Sequence, residues 1–213
     1  MLKKYSILLG IIISVSLLLI AVSYYPGGAQ FDKTTIGWHW KKNYISNLFS
    51  EKAINGSNNT SRVWAIAGMF FLAASFALFF IQFSKKIPVK APANVIKYIG
   101  SIGMLFTFLI ATPLHDIMVT VSATLFLVAI FYITVFVFKT KLHPLKWLCT
   151  ACLLVFYFTL YLYGAGSWKF LPIMQKVTFA MAIITVIGLE YFTKKEDFQH
   201  IKSSNKIAVK NEH

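Results

Sequence analysis

Residues 101–131 read SIGMLFTFLIATPLHDIMVTVSATLFLVAIF, two runs of almost pure hydrocarbon joined by a turn that holds Pro113, His115 and Asp116. A spanning segment in lipid must satisfy its own N–H and C=O groups, so each run reads as a helix and the pair as a membrane hairpin. Working outward, the length needed to cross a hydrocarbon core, about 20 helical residues, is met by six runs. They are approximately Tyr5 to Tyr25, Val63 to Phe83, Tyr98 to Leu114, Ile117 to Phe138, Trp147 to Tyr163 and Leu171 to Phe192. The expected fold class is all-α, a polytopic membrane bundle of six transmembrane helices.

Composition agrees with that reading. The 213 residues are 57% hydrophobic and 13% charged, against about 25% charged in an ordinary soluble domain. The net charge of +14 does not imply nucleic acid, because the basic residues are scattered between apolar runs instead of forming one patch with interleaved aromatics. The first run follows Lys3 and Lys4 and is long for a signal-peptide core, so it is read as an uncleaved helix. Residues 1–193 then form a single transmembrane domain with a long outer loop at 26–62, and 194–213 a polar tail. Lysines concentrate in the connections on the side of the N-terminus, which places both termini in the cytoplasm. The expected location is a cell membrane, crossed several times, in a chain of bacterial type.

The loop contains IGWHWKKNYISNLFSEKAI, in which Trp38, Trp40 and Tyr44 are interface aromatics. Ile45, Leu48, Phe49 and Lys52 recur at helical spacing and predict a short helix lying on the outer leaflet. INGSNNTS reads as a hinge, with Thr60 or Ser61 capping the second span. The NGS, NNT and NTS sequons within it are taken as polar loop residues without glycosylation.

Several motifs are weighed against blander readings. Cys149 and Cys152 form CxxC inside an apolar run, lack a second metal-ligand pair and lack a βαβ setting, so they read as helix-packing residues. Glu190 is expected to pair with Lys194 one turn on. Gly100 with Gly103, and Gly164 with Gly166, are too weak a signal to name a protein partner. Intramembrane histidine pairs for haem, GxSxG and HExxH are missing from the sequence, and no metal or cofactor is assigned.

Polar residues converge on the outer face. Ser46 and Asn47 lie in NYISNL, Arg62 opens the second span, His115 and Asp116 form the outer turn, and Gln175 with Lys176 begins the sixth span. Asp116 alone would read as a cap on the fourth helix. Together the seven suit a lipid or amphiphile headgroup, with Arg62 and Lys176 attracting a phosphate and the amides and His115 orienting it. The first expectation is therefore binding of a membrane lipid. An alternative is a lipid hydrolase or transferase using His115 as general base and Ser46 as a conceivable nucleophile. Against it, adjacent helical residues diverge by about 100°, so Asp116 is not expected to orient His115. A small transporter or a partner subunit is the remaining alternative, and no half-to-half repeat supports transport.

On six spans, NYISNL after the first, LHD before the fourth and MQK opening the sixth, the chain resembles the bacterial membrane family called domain of unknown function 998. It is more distantly similar to the six-helix Frag1, DRAM and Sfk1 group. The resemblance implies six helices and a lipid connection, without a settled activity. The chain departs from the family pattern where Asn47 and Phe49 stand for an aspartate and a glycine, where Lys176 replaces arginine, and where Val119 replaces a second histidine. Those losses favour a binding site over a catalytic one.

Overall fold

The computed structural model describes residues 2–201. Six helices are long and apolar enough to cross a membrane: α1 (Leu2–Ser23), α2 (Arg62–Ser84), α3 (Lys90–Leu109), α4 (His115–Phe138), α5 (His143–Gly164) and α6 (Leu171–Phe192). The protein is a predominantly helical, multi-pass membrane protein. Its outer surface carries Leu9, Ile12, Phe70, Leu105, Phe131, Leu154 and Phe158 in exposed positions along the helices, large apolar side chains in a number that lipid, not water, tolerates.

Sequential helices pack as neighbours, and α6 returns to touch both α1 and α2. The centre is aromatic. Phe76, Phe79, Phe80 and Phe83 of α2 are buried, and Phe126 of α4 meets Phe76, Phe80 and, at 4.7 Å between centroids, Phe156 of α5. Helices already in lipid gain little from leaving it, so close packing has to hold them together. Gly100 serves that packing inside the chain. A Cβ there would collide with the Phe80 ring, so its absence lets α3 approach α2.

Three boundaries differ from expectation. Helix α3 starts at Lys90 instead of near Tyr98, since Pro92 falls in the first turn, where a missing N–H costs nothing. It stops at Leu109 because residues 110–114 turn ahead of Pro113. Helix α5 begins at His143, with Pro144 in its first turn. The polar tail also begins later than position 194. Residues 196–201 are helical, Phe198 packs edge-on against Phe83 at 5.8 Å, and the His200 Nε2–H donates to the Lys139 carbonyl at 2.8 Å. The rest of the expected tail, from Lys202 on, lies outside the described residues.

Nor does Glu190 pair with Lys194. Lys86, from the α2–α3 connection, donates to the Glu190 carbonyl at 2.9 Å, to its carboxylate at 3.3 Å and to the Thr193 hydroxyl at 3.3 Å. The Lys194 N–H instead donates to Asp197 Oδ2 at 2.7 Å. Lys86 reaches the last turn of α6 because α2 and α6 pack side by side, a proximity the i to i+4 rule does not register. Cys149 and Cys152 are buried free thiols in the α5 packing face.

Candidate functional site

The α1–α2 connection covers one end of the bundle, the loop end. It opens with an antiparallel hairpin, β1 (Gly27–Ala29) and β2 (Asp32–Ile36), which the sequence did not announce. Gly28 has φ +82°, and a Cβ on it would strike the backbone of Ile54 and Asn55, so the hairpin lies directly on the far end of its own loop. Asp32 accepts from the Thr34 hydroxyl and N–H and lies 3.6 Å from Lys42, which together hold its carboxyl below the usual range.

Beyond the hairpin, Ile45–Phe49 form a single 3-10 helix. Leu48 and Phe49 are buried in the protein, so this segment plugs the bundle and does not lie on a leaflet. The apolar stripe was legible, but a stripe of that kind fits a bundle as well as a bilayer. Asn47 fixes the start of the turn by accepting the Tyr44 N–H at 2.7 Å. Asn59 closes its end, donating to the carbonyls of Asn47, Leu48 and Ser50 at 2.9–3.2 Å. Neither expected cap on α2 forms: Thr60 donates to the Tyr24 carbonyl and Ser61 to that of Leu48.

Helix α6 holds this loop in place. Gln175 Oε1 accepts the Ile45 N–H at 2.7 Å, and Lys176 donates to the carbonyls of Asn43 at 2.6 Å and Pro172 at 2.8 Å, its ammonium above the Trp38 ring. From the loop, the Tyr44 hydroxyl donates to the Trp168 carbonyl at 3.2 Å. Desolvation pushes the Tyr44 phenol pKa up, so the hydroxyl keeps the proton it donates.

Beneath the loop lies a cavity of about 490 Å³. Its polar lining comes from Gln30, Tyr44 and Ser46 of the loop, His115 and Asp116 at the start of α4, and Gln175 of α6. Below these, Met69 and Leu72 of α2, Met104 of α3, Phe126 of α4, Phe156 of α5 and Phe179 with Ala182 of α6 make an apolar chamber. Ala182 is eleven positions past Leu171, about 16 Å along the helix, so the chamber reaches the middle of the bundle. Its hydroxyls are already used: Thr107 donates to Gly103, Ser122 to Val119, Thr159 to Val155, and Thr159 and Thr178 bond each other at 2.7 Å.

Four of the seven sequence candidates, Ser46, His115, Asp116 and Gln175, meet at this cavity. Asn47 and Lys176 hold the loop, and Arg62 pairs with Glu51 at 3.0 Å. Gln30, Tyr44 and Trp168 line the cavity as well. Tyr44 stood inside the NYISNL motif but read as an interface aromatic, and Gln30 carried no motif.

His115 and Asp116 occupy the first turn of α4, where Leu114 is the N-cap and no side-chain cap bond forms. Asp116 therefore does not cap through the amides, although its charge still suits a helix N-terminus. Its Oδ1 lies 2.9 Å from His115 Nδ1. The expected divergence separates the Cβ directions, but Nδ1 is the ring nitrogen nearer the backbone and the carboxylate folds back to it. An ionised carboxylate can only accept, so the proton sits on Nδ1. Nε2 is buried without a partner.

Compared with protein-family models, with curated proteins and with solved structures, the chain matches none.

Proposed function

We propose that the protein binds a lipid or other amphiphile, with the headgroup at the loop end and the hydrocarbon in the chamber below. One observation carries this reading: the cavity is polar at the loop end and apolar down to the middle of a membrane bundle. Its volume falls within the roughly 300–1,000 Å³ of small-ligand pockets. The likeness of NYISNL, LHD and MQK to the domain of unknown function 998 family supports the same reading by analogy alone. Lysine asymmetry supports a cytoplasmic N-terminus and an outward loop end, in a bacterial cell membrane. The ligand then comes from the outer leaflet.

Native mass spectrometry after gentle extraction tests the proposal. The wild type retains a discrete lipid, and the double variant His115→Ala, Gln175→Ala loses it. Identical, non-selective lipid profiles for the two proteins would remove the proposal.

The 2.9 Å contact between His115 and Asp116 favours a second reading, a lipid hydrolase or transferase with Asp116 orienting the imidazole. Ester turnover that survives His115→Ala would remove it.

A further inference from the structure

An anionic headgroup is bound by cations that replace its hydration, usually arginine or lysine. At the loop end the two cations that the sequence offered for that role are engaged elsewhere. Arg62 is paired with Glu51, and Lys176 gives its protons to two backbone carbonyls. Among the described residues that line the cavity, none is a lysine or arginine, and the single carboxylate is Asp116, whose side chain is 84% exposed. A protonated His115 would bring its pair with Asp116 to neutrality and no further. An arriving phosphate or carboxylate therefore meets a like charge and no cation in the wall. A hydroxyl fares differently. Ser46 and Gln30 can each donate and accept, Gln175 has an amide NH₂ to give once its oxygen is committed to Ile45, and Asp116 Oδ2 can accept.

We infer that the site selects an uncharged, hydroxyl-bearing amphiphile, such as a monoacylglycerol or a simple glycolipid, over an anionic lipid. The inference rests on the amphiphile-binding reading above and departs from the phosphate role that the sequence offered for Arg62 and Lys176. A choline or ethanolamine phospholipid is disfavoured too, because its phosphate would have to sit in the same wall.

The test compares binding of a monoacylglycerol and of lysophosphatidate with the same chain to the full-length, delipidated protein in neutral detergent. The monoacylglycerol binds at least about tenfold tighter, 1.4 kcal/mol. Asp116→Asn, which removes the wall's one negative charge, narrows the gap by strengthening lysophosphatidate binding. Equal or tighter binding of lysophosphatidate by the wild type overturns the inference, as does a gap unmoved by Asp116→Asn. Loss of lysophosphatidate binding in Arg62→Gln also overturns it, because a phosphate would then be reaching that guanidinium. Binding of neither probe sinks the amphiphile reading itself, an outcome distinct from binding with the opposite preference.

Discussion

Ala123→Trp is expected to abolish retention of the amphiphile proposed above, weakening binding by at least about 100-fold, or 2.7 kcal/mol, while the protein still folds. Ala123 contributes a methyl to the α4 wall of the cavity, between the levels of Val119 and Phe126. An indole there occupies the path from the polar end to the apolar chamber. Forcing a large side chain into a filled core costs about 1–3 kcal/mol, but here the added atoms have a void to enter. The thermal unfolding midpoint in detergent therefore moves little. Leu105→Trp, on the exposed side of α3, controls for tryptophan as such. Unchanged lipid retention in Ala123→Trp would mean that the amphiphile sits on the outer surface of the bundle.

Lys86→Met destabilises the protein by about 3 kcal/mol, whereas the double variant Lys86→Met, Glu190→Leu returns close to wild type or exceeds it. Lys86 and Glu190 keep only 16% and 11% of their side-chain surface exposed, with 3.3 Å between ammonium and carboxylate. Removing one member of such a buried pair costs roughly 3–5 kcal/mol because the other charge is left without a partner, whereas apolar replacement of both is often neutral or stabilising. These two charges are not fully enclosed, so the lower end of the range applies. Desolvation outweighs Glu190 in holding the Lys86 pKa below the ordinary lysine value, evidence that burying this cation is costly. Equilibrium unfolding of the two single variants and the double variant gives the cycle. A double variant as unstable as Lys86→Met would assign the stabilisation to the bonds from Lys86 to the Glu190 carbonyl and Thr193.

How far the fold could be read from the sequence depended on the range of the interaction involved. The six helices were legible because each is specified by its own apolar run, and α6 spans Leu171–Phe192 as expected. Helix α3 was misjudged where Lys90, Pro92 and Lys97 dilute its first turns, although a proline in the first turn and a lysine lying over the Tyr98 ring are both compatible with helix. The Lys86–Glu190 pair joins residues 104 positions apart and leaves no local pattern. At the candidate site, topology brought Ser46, His115, Asp116 and Gln175 to one end, as polar residues at span ends allowed. The division of labour between neighbours was hidden. Gln175 lines the cavity and Lys176 does not, because the two diverge around α6 and only the second meets the carbonyl of Asn43. The hairpin was hidden as well. Gly27 and Gly28 look like a linker until Asn43 reaches back to the Gly28 carbonyl and the Gly27 carbonyl accepts the Asn55 N–H.

The burial of both native cysteines has a practical consequence. With Cys149 and Cys152 fully covered, the folded chain already serves as its own background for thiol chemistry. A single cysteine introduced at Ile36, 96% exposed on the hairpin, or at Trp147, 75% exposed near the opposite end of the bundle, offers the one reactive thiol to a membrane-impermeant maleimide. The sidedness of each end can therefore be read position by position in intact cells without first disturbing the α5 packing face.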